Sequence, residues 1–364
     1  MKIVCTKKNL AGGLAVASRV IGSGNALPVL NNILFKTDGG RLKLSSTNLE
    51  MAINTWMGGK IEEEGEITIP ARLVNEYVNN LLTETITVTT EKLTIFLEGD
   101  KAKTHIKGLS SDEFPLIPQI KDAVFGRVES QDLKKAISEV GYAAAFSETQ
   151  PEISGVLFSF KGKTLTLAAT DRVRLAESQL PLVEDVKEER QVIIPVRVVH
   201  ELAHAVGGGP VEIYLTENQA MFRSADTELI TRLIEGQYPD YQQIIPKNFT
   251  TEAQIARSQF IQSLKAASLF ASDSNNIEIE MNPQAKQLVV RSQSAQTGDS
   301  EIRIDAELTG QKNTIIFNHR YLVECLNNLG DEAVILKVID SSSPAELVPA
   351  KREDFLYIVM PIKI

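Results

Sequence analysis

A chain of 364 residues with 43% apolar and 23% charged side chains is long enough for two or three cores of about 100 to 150 residues each and too mixed for a disordered or fibrous protein. Its net charge of −9 excludes indiscriminate adhesion to nucleic acid or to an anionic membrane. Two cysteines, Cys5 and Cys325, cannot form a disulfide framework, the opening MKIVCTKKNL has no long apolar core, and no run of 18 apolar residues occurs. A cytoplasmic protein without a membrane span is therefore expected.

Met1 to Cys5 reads as a short strand, and Leu10, Leu14, Ala17 and Ile21 recur at helical spacing from Lys7 onward. Pro28 to Phe35, a turn at Asp38-Gly39-Gly40 and Arg41 to Leu44 read as a hairpin, with a further strand beginning near Ser46 to Glu50. After an acidic turn at 62–65 come a strand, a helix from Pro70 to Leu82, and the alternating segments ITVTT and LTIFLEG. A second copy of this order starts near Gly126. It has a helix from about Ser130 to Phe146, a hairpin over 155–167, the segment ATDRVRLA in place of Ser46 to Glu50, a second helix at PVRVVHELAHAV, then VEIYL, AMFRSAD and ELITRLI. EGQYPDYQQIIP closes that copy as FPLIP closes the first. The third copy runs from Ala253, with helices near Ser258 to Ala271 and His319 to Leu329. Its strands are IEIEMN, QLVVRS, EIRIDAEL, AVILKVID, AELVPA and DFLYIVMPI, with a loose polar loop at Ser292 to Ser300 and a chain end inside a strand.

His200, Glu201 and His204 spell HExxH, which on a helix sets two imidazoles on one face where zinc could be held while the glutamate activates a water. A second reading asks whether the stretch recurs. Arg72, Arg197 and Arg320 stand at three equivalent helix starts, each followed four places later by a glutamate, whereas His200 aligns with Asn75 and Val323, and His204 with Asn79 and Asn327. The arginine and glutamate thus belong to a repeat and the histidines do not. The third ligand of the extended protease pattern would fall on Pro210, and Glu217, Glu228 and Glu235 lie on predicted strands or turns. No metal and no cofactor are therefore expected. GGGP at 207–210 follows a helix and opens none, so it reads as a turn.

Copies of about 120 residues are too large for solenoid units and predict three domains, 1–122, 123–249 and 250–364, each α+β with antiparallel sheets and two helices on one face. The six predicted helices carry ten basic residues against five acidic ones, a balance of +5 that leaves −14 on the rest of the chain. Such a division suits a protein that admits a polyanion along one surface and repels it elsewhere. Solvated helix charges on a repeat scaffold without nucleic acid would give the same count.

PAR and PVR ahead of the second helices, ATDRVRLA, EGQYPDYQQIIP and the terminal YIVMPIKI together resemble the bacterial DNA polymerase III beta subunit, the processivity sliding clamp, over the whole chain. The resemblance implies the DNA clamp fold, a head-to-tail homodimer closing into a ring lined by helices, and passage of duplex DNA through it without sequence preference. It implies docking of the polymerase III catalytic subunit, the clamp loader and other proteins bearing clamp-binding peptides, no catalysis and no membrane. DNA would meet Lys8, Arg19, Arg72, Lys134, Arg197, Lys265 and Arg320, since the loop Gly22 to Asn25 holds no arginine. Carried over residue by residue, the peptide pocket is Ile153, Thr170, Arg174, Leu175, Pro239, Ile244, Val359, Met360, Pro361 and Ile362, an aliphatic cleft with an adaptable methionine. The dimer contact would join Lys103, Thr104 and Ile106 on an edge strand to Leu269 and Phe270 after the first helix of the third copy.

Overall fold

The computed structural model describes residues 1–22, 27–147, 149–271 and 274–363; Ser23, Gly24 and Asn25 of the arginine-free loop lie outside them. The first copy runs β1 (Lys2–Thr6), α1 (Lys7–Ala17), β2 (Asn32–Asp38), β3 (Arg41–Thr47), β4 (Met51–Met57), β5 (Lys60–Glu63), β6 (Glu66–Pro70), α2 (Ala71–Asn80), β7 (Thr85–Glu91), β8 (Thr94–Glu98) and β9 (Lys103–Lys107). In the second follow β10 (Gly126–Glu129), α3 (Ser130–Val140), β11 (Gly155–Lys161), β12 (Thr164–Thr170), β13 (Arg174–Pro181), β14 (Arg190–Pro195), α4 (Val196–Ala205), β15 (Pro210–Leu215), β16 (Gln219–Ser224) and β17 (Thr227–Arg232). The third comprises β18 (Thr251–Ala256), α5 (Arg257–Ser268), β19 (Asn276–Asn282), β20 (Gln287–Ser294), β21 (Gly298–Asp305), β22 (Glu307–Gly310), β23 (Asn313–Asn318), α6 (His319–Asn328), β24 (Ala333–Val338), β25 (Ala345–Pro349) and β26 (Phe355–Val359).

The chain forms two compact units, residues 1–131 with 197–233, and residues 132–196 with 234–364. In the first, one sheet has the order β5-β1-β7-β8-β9, and an eight-stranded sheet runs β10-β15-β16-β17-β4-β3-β2-β6. In the second, a nine-stranded sheet runs β14-β11-β12-β13-β26-β25-β24-β18-β22, beside a four-stranded β21-β20-β19-β23. The middle copy is thus shared out: β10 and β15 to β17 extend the sheet of the first copy through β17–β4, while β11 to β14 join the third through β13–β26. Every strand pair is antiparallel among the described residues, as hairpin connections require.

Local chemistry explains the helices. The Thr6 hydroxyl accepts the Asn9 amide to start α1, whose Leu10, Gly13, Leu14 and Ala17 are buried at i, i+3, i+4, i+7 spacing. α1 packs on α2 and β4, and a Cβ on Gly13 would stand 2.9 Å from a Leu44 methyl, so glycine sets the close approach of helix to sheet. Ala71, Val74 and Val78 of α2 complete that core with Ile33, Phe35, Leu42 and Leu44. In the second unit α5 buries Phe260 and Leu264 and packs on α6, whose Leu322, Cys325 and Leu326 face inward. Burial pushes the Cys5 thiol up to about 11 and the Cys325 thiol up to about 12; both are free and buried. No described helix is long and apolar enough to cross a membrane.

Five local expectations are corrected. Pro28–Asn31 is a 3-10 turn with proline at its start, and the strand begins at Asn32. Ser46 to Glu50 holds the end of β3 and a turn with Leu49 at φ 76°, so the next strand begins at Met51. EIRIDAEL divides at Ala306 because β21 pairs with β20 in one sheet and β22 with β18 in another, while the loop read at Ser292 to Ser300 is mostly the β20–β21 hairpin, closing at Ser294 and Gly298. The last strand stops at Val359; beyond it, the Met360 amide donates to Val173 O at 2.9 Å and the Ile362 amide to Ile316 O at 2.8 Å.

Candidate functional site

The turn from β12 to β13 carries Thr170, Arg174 and Leu175 of the expected pocket. Thr170 and Asp171 build it from their own side chains: the Thr170 hydroxyl donates to Arg174 O at 2.6 Å and accepts the Arg172 amide at 3.1 Å, and Asp171 Oδ1 accepts the amides of Val173 and Arg174, both at 3.0 Å. This network holds Arg172 in the left-handed region at φ 75°. Arg174 then pairs with Val359 across the β13–β26 ladder and Leu175 with Ile358, which brings Met360, Pro361 and Ile362 past the turn. Ile153 lies on a 3-10 turn whose carbonyl accepts the Ala145 amide at 2.9 Å, on the segment that carries Tyr142.

Arg174 is caged. Its Nε donates to Asp171 at 3.0 Å, one terminal nitrogen to Tyr142 O at 2.9 Å and the other to Glu324, while the guanidinium stacks 4.6 Å from the Tyr321 ring and 5.6 Å from that of Tyr142. Burial acts against its charge, but the Glu324 hydrogen bond and the charges of Asp171 and Glu324 outweigh it and hold the pKa above the ordinary arginine value. Leu175, Val359 and Ile153 are buried and support the site from beneath, Leu175 within a cluster with Tyr238, Tyr241 and Ile358. Met360 and Ile362 are half-buried, and Pro239 and Ile244 are exposed. The cage residues Tyr142, Tyr321, Asp171 and Glu324 were not among the expected site residues. Asp171 had a local signal in its spacing from Thr170 and Arg174; the tyrosines had none, being remote in sequence.

Of the expected DNA-facing cations, Lys8, Arg19, Arg72, Arg197, Lys265 and Arg320 are exposed and Lys134 half-buried. Arg72 pairs with Glu76 at 2.8 Å and Arg19 with Glu201 at 3.7 Å. The other five have no carboxylate partner among the described residues. Arg72, Arg197 and Arg320 all fall in the first turn of a helix with no acidic residue there, where a cation opposes the helix dipole. The dipole therefore does not favour them, although Arg72 gains an i,i+4 pair with Glu76, whereas an incoming anion gains both the arginine and the N-terminal amides. Other helix charges are already engaged: Lys135 pairs with Asp354 at 3.1 Å, Glu139 with Arg352 at 2.6 Å, and Arg257 donates to the carbonyls of Asp331 and Leu326.

Lys103, Thr104 and Ile106 lie on β9, the outer strand of the five-stranded sheet, with Lys103 paired to Glu98 and Ile106 turned into the core. Leu269 follows α5 and is 74% exposed, a large apolar side chain given to solvent, and Phe270 beside it is half-buried. His200, Glu201 and His204 do sit on α4, but Glu201 turns to Arg19, and no group of three or more His, Cys, Asp or Glu side chains among the described residues is placed to hold a metal ion. Burial, with His204 beside it, lowers the His200 pKa against the raising effect of Glu201. GGGP is a bend, with Gly209 at φ 86°.

Comparison with known proteins accounts for nearly the whole chain. The N-terminal domain of the DNA polymerase III beta subunit matches residues 1–118, the central domain 127–240 and the C-terminal domain 242–363. The beta sliding clamp of Streptococcus pneumoniae strain R6 is 30% identical over 363 residues, 96% of each chain. That of Synechocystis is 28% identical and covers 100% of each. The solved DNA polymerase III beta chain of Streptococcus pneumoniae TIGR4 superposes with a TM-score of 0.94 at 28% identity over 100% of both chains. A Pseudomonas aeruginosa sliding clamp shares the fold, with a TM-score of 0.95 at 24% identity and 100% of each chain covered. The fold is therefore that of the sliding clamps. The chain belongs to the DNA polymerase III beta subunit family, the beta sliding clamps.

Proposed function

We propose that the protein is a replication processivity clamp: two copies join head to tail in a ring around duplex DNA and tether DNA polymerase III to its template. Membership of the beta sliding clamp family along the whole chain is the observation that carries this reading. Lys8, Arg19, Arg72, Lys134, Arg197, Lys265 and Arg320 supply backbone-directed contacts. Contacts of that kind are each weak and indifferent to sequence, so the ring slides while its closure prevents escape.

The pocket of Ile153, Thr170, Arg174, Leu175, Pro239, Ile244, Val359, Met360, Pro361 and Ile362 receives a short apolar peptide from the polymerase catalytic subunit, the clamp loader or another client. In this reading Arg174 shapes the turn through its cage, and Met360 is the adaptable contact. The edge of β9 at Lys103, Thr104 and Ile106 meets Leu269 and Phe270 of a second copy. Two separate features support this joint: the exposed Leu269 after α5, and β9, which has a neighbour on one side only among the described residues. The protein is cytoplasmic and non-catalytic, and its sequence divides into domains 1–122, 123–249 and 250–364.

Primer extension on a primed single-stranded circle tests the assignment. With DNA polymerase III and a clamp loader present, adding the protein lengthens the product of a single binding event. Product lengths that stay the same with and without the protein would count against it.

A further inference from the structure

The first unit contains a second copy of the turn on which the expected peptide pocket is built. Thr47 donates to Met51 O at 2.9 Å and accepts the Leu49 amide at 3.0 Å, and Asn48 Oδ1 accepts the amides of Glu50 and Met51 at 3.1 and 2.9 Å. Each of these four bonds has its counterpart in the Thr170–Arg174 turn, and Leu49 at φ 76° matches Arg172 at φ 75°. The neighbouring strand also corresponds: Thr231 pairs with Met51 as Val359 pairs with Arg174, and the Arg232 amide donates to Glu50 O at 3.1 Å as that of Met360 does to Val173 O at 2.9 Å. Beside this turn is a cavity of about 380 Å³, bounded also by the 115–118 segment.

The two sites share a backbone and exchange their chemistry. Buried Met51 replaces the caged arginine, and exposed Arg232 replaces the methionine; Arg232 has no carboxylate partner among the described residues. Leu116 and Leu49, 99% and 51% exposed, border the cavity, as Val173 and Ile244 present exposed apolar surface at the other site. Ile117 and Ile230 belong to a small apolar cluster with Met221 and Tyr214 beneath it. Apolar groups left in solvent around a concavity, with Arg232 unpaired on the rim and exposed Glu50 the one acidic side chain lining it, fit an extended segment that offers an apolar side chain and then a carboxylate set against Arg232.

We propose that the groove formed by Leu49, Met51, Leu116, Ile117, Ile230 and Arg232 is a second peptide-docking site, selective for a bulky apolar residue followed by an acidic one. The proposal rests on the reading that the equivalent groove in the second unit binds peptides.

Methionine-methyl NMR of the intact protein separates the two sites, because Met51 reports on one and Met360 on the other. The probe is acetyl-Leu-Phe-Asp-amide, with acetyl-Leu-Phe-Lys-amide as its control. A saturable Met51 shift is expected with the acidic peptide and not with the lysine peptide. Arg232→Glu should weaken the Met51 titration about five-fold or more, the scale of an exposed charge contact, and leave the Met360 titration unchanged. Leu116→Ser, on a fully exposed side chain, is a second variant that should weaken it without endangering the fold. A Met360 response without a Met51 response overturns the second site and spares the first. A Met51 response without a Met360 response supports the second site and refutes peptide binding at the first. Silence at both methionines, or a Met51 shift that both variants leave unaltered, overturns the proposal. So does one that follows protein concentration, which would put a second copy in the groove.

Discussion

The turn at Thr47 to Met51 and the turn at Thr170 to Arg174 have one backbone and opposite interiors. The first closes on a buried methionine, the second on an arginine held by two carboxylates, a carbonyl and two aromatic rings. The contrast extends outward. Buried polar side chains of the first unit are hydroxyls and amides, such as Asn54 hydrogen-bonded to Ser45, whereas the second unit buries Glu139, Glu177 and Glu346. At the position matching Asn54 stands Glu177, which accepts the Tyr241 hydroxyl at 2.5 Å. A repeated fold therefore fixes hydrogen-bonded turns through a few threonine and Asx side chains and leaves interior charge free to diverge, provided every buried carboxylate is paired, as Glu139 is with Arg352, or hydrogen-bonded, as Glu177 is by Tyr241 and Gln179.

Exchanging the two interiors is the severest test of that contrast. Met51→Arg places a guanidinium where neither the carboxylates nor the tyrosines of the cage exist, and should destabilise the protein by about 3 to 5 kcal/mol in urea unfolding. Arg174→Met strips Asp171 and the Tyr142 carbonyl of their partner and should cost about 2 to 3 kcal/mol, less because Glu324 is half in solvent. A Met51→Arg protein as stable as the parent would show that the two turns are not distinguished by their interiors.

Binding separates the grooves next. Met360→Ala combined with removal of residues 361–364 should weaken an apolar client peptide at the second unit by about thirty-fold or more, the range of a hot-spot contact, with the dimer ring intact by sedimentation. The site at Met51 should be untouched. Unchanged affinity by calorimetric titration would remove Met360 from the pocket.

The smallest effect concerns pH. Burial raises the Glu139 pKa, against the opposing influence of Ser178, Arg352 and Lys135. A carboxyl whose folded pKa lies above its unfolded value, about 4.3, holds its proton more tightly when native. Its favourable contribution is complete below the unfolded value and is lost as pH rises through the folded one. Glu139→Gln should therefore gain stability relative to the parent as pH is raised across that window. A difference in urea midpoint that is flat with pH would remove Glu139 as the source.

Much of the fold was legible because alternation and helical spacing are local. The six helices lie where Leu10 and Leu14, Val74 and Val78, or Leu322 and Leu326 set their period. Partner choice between strands leaves no such mark: nothing in β4 or β13 announces that its neighbour comes from the end of the next copy. The polar hairpin end of β20 and β21, Ser292 to Ser300, alternates too weakly to separate from a loop, and Ala306 marks a change of sheet that composition does not encode. At the site, the Thr-Asp-x-x-Arg spacing was readable, but the cage needs Glu324 and Tyr142 from distant segments. HExxH was the most conspicuous motif in the sequence and the least informative, since its glutamate lies 3.7 Å from an arginine brought by the fold, as an ion pair without a hydrogen bond.

The central claim is topological, and retention on closed DNA tests it most directly. Protein assembled on a nicked circular plasmid with its loader should stay bound through gel filtration in salt high enough to break phosphate contacts, and should be released once the plasmid is cut to a linear form. Equal retention on circular and linear DNA, or loss from both at the same salt, would contradict a ring held by closure.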